Sequence, residues 1–203
     1  MMERSSRFLS LSGLSGVFAG VVALLGVLAV YIYKQEFFFG SNYYGDPNIQ
    51  KFSLSGAELN DFIIFLVLVA FVVFVLALTF GILFTTRNAK RKGLPYWDSA
   101  TKRMLVNLFI PLVAGGIFCL ALFYHHHIYL VAPATLVFYG LALINASKYT
   151  LNEVRYLGVS EIILGLTAMF FAGYSLIFWA VGFGVLHIIY GSTMYFRNER
   201  VNN

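Results

Sequence analysis

Six apolar runs separated by short polar connections constrain this chain more than any motif in it. They fall at about 8–33, 59–85, 104–124, 128–147, 157–173 and 175–196. A bilayer span needs roughly 20 mostly apolar residues, so each run is a candidate crossing, the fifth being short. The second, Phe62 to Phe84, carries no charge. Its length and lack of turn residues favour a lipid-facing helix over buried strands. Of 203 residues, 60% are hydrophobic and only 11% charged. Soluble domains carry about 25% charged residues, so a water-soluble enzyme, a disordered chain and a disulfide-stapled module are excluded. The reading is a single all-α domain over 1–203, a polytopic bundle of six transmembrane helices.

Charge sets the expected orientation. Arg4, Arg7, Arg87, Lys90, Arg91, Lys92, Lys102, Arg103, Lys148, Arg155, Arg197 and Arg200 fall on one side, and only Lys34 and Lys51 on the other, accounting for all 14 basic residues. The positive-inside rule then places both termini in the cytoplasm. Five or seven spans would move the Arg197–Arg200 tail outside. The net charge of +5 is explained this way, without nucleic acid as a partner. The N-terminal apolar run reaches Tyr33 without a small-x-small cleavage site, and is read as a retained span rather than a signal peptide. The basic segment Arg87, Lys90, Arg91, Lys92, Lys102 and Arg103, with Tyr96 and Trp97, is expected along the inner leaflet, where anionic lipid is the candidate partner. Asp98 or Ser99 should cap the third helix, and Ser55 with Glu58 forms a capping box before the second. The outer loop, Gln35 to Asn60, combines an aromatic belt at Phe37–Phe39 with a Gly45-Asp46-Pro47-Asn48 turn.

Ionisable groups inside a bilayer are expensive and mark functional candidates. Glu161 in the fifth run and His187 in the sixth are the ionisable ones, with Asn107 and Asn145 as uncharged counterparts. The midpoint of 161 and 187 is Tyr174, where the hairpin turns. Antiparallel helices of equal rise therefore put both residues at one depth. The same arithmetic levels Asn107 with Asn145 about His126. Small residues share these faces: Gly158 and Gly165 flank Glu161, and Gly184 and Gly191 flank His187. Gly16 and Gly20 form a GxxxG in the first run. Such stripes allow close helix contact. A Glu161–His187 hydrogen bond would reduce the burial cost of both, as a structural clasp or as a proton-linked site. Pro111 with Gly115-Gly116, and Gly182-x-Gly184, are candidate helix breaks.

Other chemistry is poorly supported. Adjacent His125, His126 and His127 do not converge on one ion without a sharp backbone bend, so they are weak metal candidates. Cys119 is the lone cysteine. HExxH, GxSxG and P-loop patterns are absent, and no cofactor is expected. Tyr149–Glu153 resembles Tyr195–Glu199, a hint of three tandem helical hairpins. The opening Arg4-Ser-Ser-Arg-Phe-Leu-Ser-Leu-Ser-Gly-Leu-Ser-Gly-Val-Phe-Ala-Gly20 and the stretch Lys92-Gly-Leu-Pro-Tyr-Trp-Asp98 resemble a family of multi-span integral membrane proteins of the Bacteroidota type. The likeness covers most of the chain and carries over no activity and no site residue. The expectation is a non-enzymatic scaffold, sensor or subunit of a membrane complex or homo-oligomer, with a small proton-coupled transporter or channel using Glu161 and His187 as the alternative.

Overall fold

A computed structural model describes residues 12–33, 56–91, 93, 97–125 and 127–198, with the side chains of all of these but 56–59, 172 and 198. Arg4, Arg7, Lys34, the loop at 35–55 with Ser55, the Glu58 side chain, Lys92, Tyr96, His126 and the tail at 199–203 lie outside the described residues. The described chain is all helical. Its elements are α1 (Gly13–Tyr33), α2 (Gly56–Arg91), α3 (Ser99–Tyr124), α4 (Val131–Ala146), α5 (Asn152–Phe170), α6 (Ser175–Trp179) and α7 (His187–Asn198). A π-helical segment, Ala180–Leu186, joins α6 to α7 into one rod, and short 3-10 turns flank α4 and precede α6.

Five helical stretches are long and apolar enough to cross a membrane: α1, α2 from Asn60, α3, Ile128–Tyr149 around α4, and Ser175–Arg197. The remaining helix, α5, carries Glu153, Arg155 and Glu161 within its 19 residues. α2 and α3 form the rim. Ile64, Leu68, Phe71 and Phe74 on α2, and Ile110, Val113, Ile117 and Leu120 on α3, are exposed. Apolar exposure of this density suits hydrocarbon and not water.

The interior is built by small residues. α1 lies between α2 and the last rod, and α4 lies between α3 and α5. A Cβ on Gly140 would meet the Gly158 carbonyl at 2.6 Å, and one on Gly158 would meet the Gly140 carbonyl at 2.8 Å. Gly165 likewise faces Leu136, Val137 and the Pro133 carbonyl. The glycine stripe of α5 therefore packs on α4. The stripe of the last rod packs on α1: Gly191 sits against Gly13 and Gly16, and the Gly184 carbonyl against Gly20. The expected interfacial glycines all lie at helix contacts, and Gly13, Gly26, Gly115, Gly140 and Gly182 join them.

Two local expectations are revised. Arg87, Lys90 and Arg91 lie not on a connecting loop but on the last turns of α2, which runs on to Arg91. Lys102 and Arg103 sit in the opening turns of α3. Lys and Arg are good helix formers, and those ending α2 also favour a helix C-terminus, so the helices absorb the charges. Pro111 and Gly115-Gly116 do not interrupt α3, whereas Gly182 and Gly184 do fall within the π segment.

The Asp98 cap is present. Its carboxylate accepts from the Thr101 N–H and the Thr101 hydroxyl, each at 2.8 Å. Those bonds, the backbone one foremost, hold the Asp98 carboxyl below its ordinary value. A depressed folded value means the cap stabilises above the unfolded carboxylate range, near pH 4, and fades as pH falls through the lowered value. Asp98→Ala should therefore lower stability at pH 7 by about 1 kcal/mol. Thermal unfolding in micelles should show that gap closing on acidification, and a gap independent of pH would contradict the ionic cap.

Candidate functional site

The polar centre lies where α4, α5 and the π segment meet. Glu161 is fully buried and His187 is 5% exposed. His187 Nδ1 stands 3.4 Å from Glu161 Oε1, so the two residues share one depth, as their equal distance from Tyr174 requires. The expected pairing is present as a buried ion-pair contact, while the hydrogen bond of Nδ1 goes elsewhere. Nδ1 is aimed at the Gly182 carbonyl, 3.0 Å away, and a carbonyl can only accept, so Nδ1 carries a proton. Both Glu161 oxygens are buried without a hydrogen-bond partner. The π segment explains the switch. Widened i→i+5 bonding shifts local carbonyls away from their usual helical partners, and Gly182 is presented to the imidazole five residues on.

Tyr139 of α4 completes the centre. Its hydroxyl lies 2.9 Å from His187 Nε2. Its ring packs against Phe183, with centroids 4.9 Å apart, and Phe183 stacks on His187 at 5.8 Å. Trp179 continues the aromatic row at 4.8 Å from Phe183. Residues 179, 183 and 187 follow i, i+4 spacing, which holds the imidazole in one orientation.

The carboxylate is enclosed closely. A Cβ on Gly182 would stand 2.5 Å from Glu161 Oε2 and 2.5 Å from the Leu136 side chain. Leu136 is itself fully buried. Glycine at 182 is therefore what admits the carboxylate between the helices. In so buried a setting a net charge is heavily penalised. A neutral acid beside neutral imidazole, or a carboxylate beside imidazolium, avoids that penalty.

The other candidates are dispersed. Asn107 Nδ2 donates to the Arg103 carbonyl at 2.8 Å and to the Tyr149 hydroxyl at 3.4 Å. Asn145 is half-buried on α4 and receives neither bond. His125 meets Tyr124 edge-on, and His127 Nδ1 lies 3.4 Å from the Tyr129 hydroxyl. Among the described residues, no three His, Cys, Asp or Glu side chains gather as a metal site. Glu153 of the first repeated segment meets Arg197 of the second at 3.0 Å. Arg197 is largely exposed, so this pair contributes at most a fraction of a kcal/mol.

Sequence reasoning missed Tyr139, although the signal was there. The midpoint of 139 and 161 is Thr150, in the turn between α4 and α5. The arithmetic that levels Glu161 with His187 also levels it with Tyr139. No protein-family model, curated protein or solved structure matches this chain.

Proposed function

We propose that this chain is a non-enzymatic six-span protein of a bacterial cytoplasmic membrane, of the Bacteroidota type, with both termini inside. It acts as a scaffold, sensor or subunit of a membrane complex or homo-oligomer, and the Glu161–His187–Tyr139 cluster fixes the register of its last three spans. α5 is taken as the additional crossing, and the spans pair in chain order as three hairpins. The observation that carries this reading is the packing at Gly182, where Glu161 and Leu136 fill the space a methyl group would need. Such a site clasps helices together and leaves no room for a substrate.

A second reading, a proton-coupled transporter, is favoured by one specific feature. Glu161 keeps two buried oxygens free of donors. A finished structural clasp would ordinarily satisfy them. One set of sealed proteoliposomes tests both readings. With a pH-sensitive dye inside, the register role predicts no proton flux above that of empty vesicles. Flux that disappears in a folded Glu161→Gln variant would replace it with the transporter. In cells, in a Cys119→Ala background, an impermeant maleimide should label a cysteine at Asn48 and spare one at Lys90. The reverse pattern would overturn the orientation.

A further inference from the structure

We propose that the groove between the end of α2 and the start of α1 binds an anionic phospholipid, with the phosphate at Arg87, Lys90 and Arg91. A groove of about 440 Å³ runs along α2, floored by Phe80, Leu83 and Phe84 and rimmed by Arg87 and Lys90. It adjoins a second of about 280 Å³ that reaches Ser12 and Leu14 and is rimmed by Arg87 and Arg91. Arg87, Lys90 and Arg91 stand at i, i+3 and i+4, which gathers them on one helical face. All three are exposed, and among the described residues neither groove is lined by an acid. The first turn of α1 adds the positive end of its dipole at the same place.

The order of chemistry along α2 identifies the occupant. From Phe80 to Arg91 the wall passes from aromatic rings through the Thr86 hydroxyl to guanidinium and ammonium groups. Eleven residues of helix rise about 16 Å, matching the step from upper acyl chain through glycerol to phosphate. The floor is fixed, because the Phe18 ring packs against Phe84 at 4.9 Å and Phe80 at 5.3 Å. A free phosphate would use the cationic rim and leave the apolar half empty. A zwitterionic headgroup would bring its own cation against three others.

Binding in micelles at about 0.15 M salt isolates this site, because diffuse attraction is screened beyond roughly 8 Å. Native mass spectrometry with short-chain phosphatidylglycerol and phosphatidylcholine should show a preference of about tenfold or more for the anionic lipid. The triple variant R87Q/K90Q/R91Q should lose it, and R87Q and K90Q alone should each weaken it. K102Q/R103Q/R155Q removes equal charge from positions outside the groove and should keep it. Equal binding of the two lipids overturns the proposal, as does equal loss in both triple variants. Displacement by glycerol phosphate or inorganic phosphate at the lipid's own concentration would mark a site for free phosphate and overturn it as well.

Discussion

Replacing His187 with Phe should destabilise the bundle by about 3–5 kcal/mol, the range for removing one partner of a buried ionic pair. Phe keeps the ring and its stack on Phe183, so the loss reports the two nitrogens and not a cavity. Three groups lose a partner together. The Tyr139 hydroxyl loses Nε2, the Gly182 carbonyl loses Nδ1, and Glu161 loses the nearby group able to balance its charge. Glu161→Gln should be milder, at about 1 kcal/mol, because it removes the charge and keeps the shape. The combination Glu161→Met with His187→Phe should be more stable than His187→Phe alone, since it no longer strands a buried carboxyl. A coupling of about 1–3 kcal/mol is expected for residues in one network. Denaturant unfolding in mixed micelles measures the parent and all these variants, with Glu161→Met alone closing the cycle. Additive losses would show that the cluster does not hold the helices. So would a His187→Phe variant within about 0.5 kcal/mol of the parent, the range of an inconsequential surface change.

The sequence carried much of this centre, for a reason that also explains the gaps. Depth in a hairpin depends only on distance from the turn, so Glu161 and His187 could be levelled by counting. Direction around the helix axis depends on hydrogen-bond register, and the π segment changes it between Ala180 and Leu186. Nothing in Gly182-x-Gly184 distinguishes a kink from a widened turn. The substitution of the Gly182 carbonyl for the carboxylate as partner of Nδ1 was therefore not legible. Glycine stripes showed which faces make contact, since only a close neighbour rewards a missing Cβ. They did not show which helix is the neighbour. Gly158 and Gly165 meet α4, and Gly184 and Gly191 meet α1, so the first span closes against the last. Long-range pairing of this kind leaves no periodic trace in the chain. The ends of α2 and α3 were hidden differently. Charge marks where hydrocarbon ends, but helix continues through Lys and Arg until a cap or turn stops it, here near Gly93 at φ 65° and at Asp98.

Alanine substitutions at glycine should separate close contacts from lipid-facing positions by sign. At Gly191 a Cβ would stand 2.6 Å from the Gly13 carbonyl and 2.6 Å from the Val17 nitrogen. Both obstacles are backbone, which cannot rotate aside as a side chain can. Gly191→Ala must push α1 and α7 apart and should cost about 2–3 kcal/mol, the upper range for overpacking. Gly16 faces the same helix less tightly, with its nearest neighbour, the Gly191 Cα, at 3.1 Å. Gly16→Ala should cost about 1 kcal/mol, the lower end of the same range. At Gly116 no atom lies within 4 Å of the place a methyl group would take, and the residue is exposed in the middle of α3. There the substitution meets nothing, and a helix interior gains about 0.5–1 kcal/mol from replacing glycine with alanine. The expected order of stability is Gly116→Ala above the parent, then Gly16→Ala, then Gly191→Ala. Unfolding midpoints in one detergent rank the four proteins directly. A Gly191→Ala variant as stable as the parent would mean that α1 and α7 do not touch at this point. The closure of the first span on the last would fall with that result, because Gly191 packs against Gly13, Gly16 and Val17 of α1.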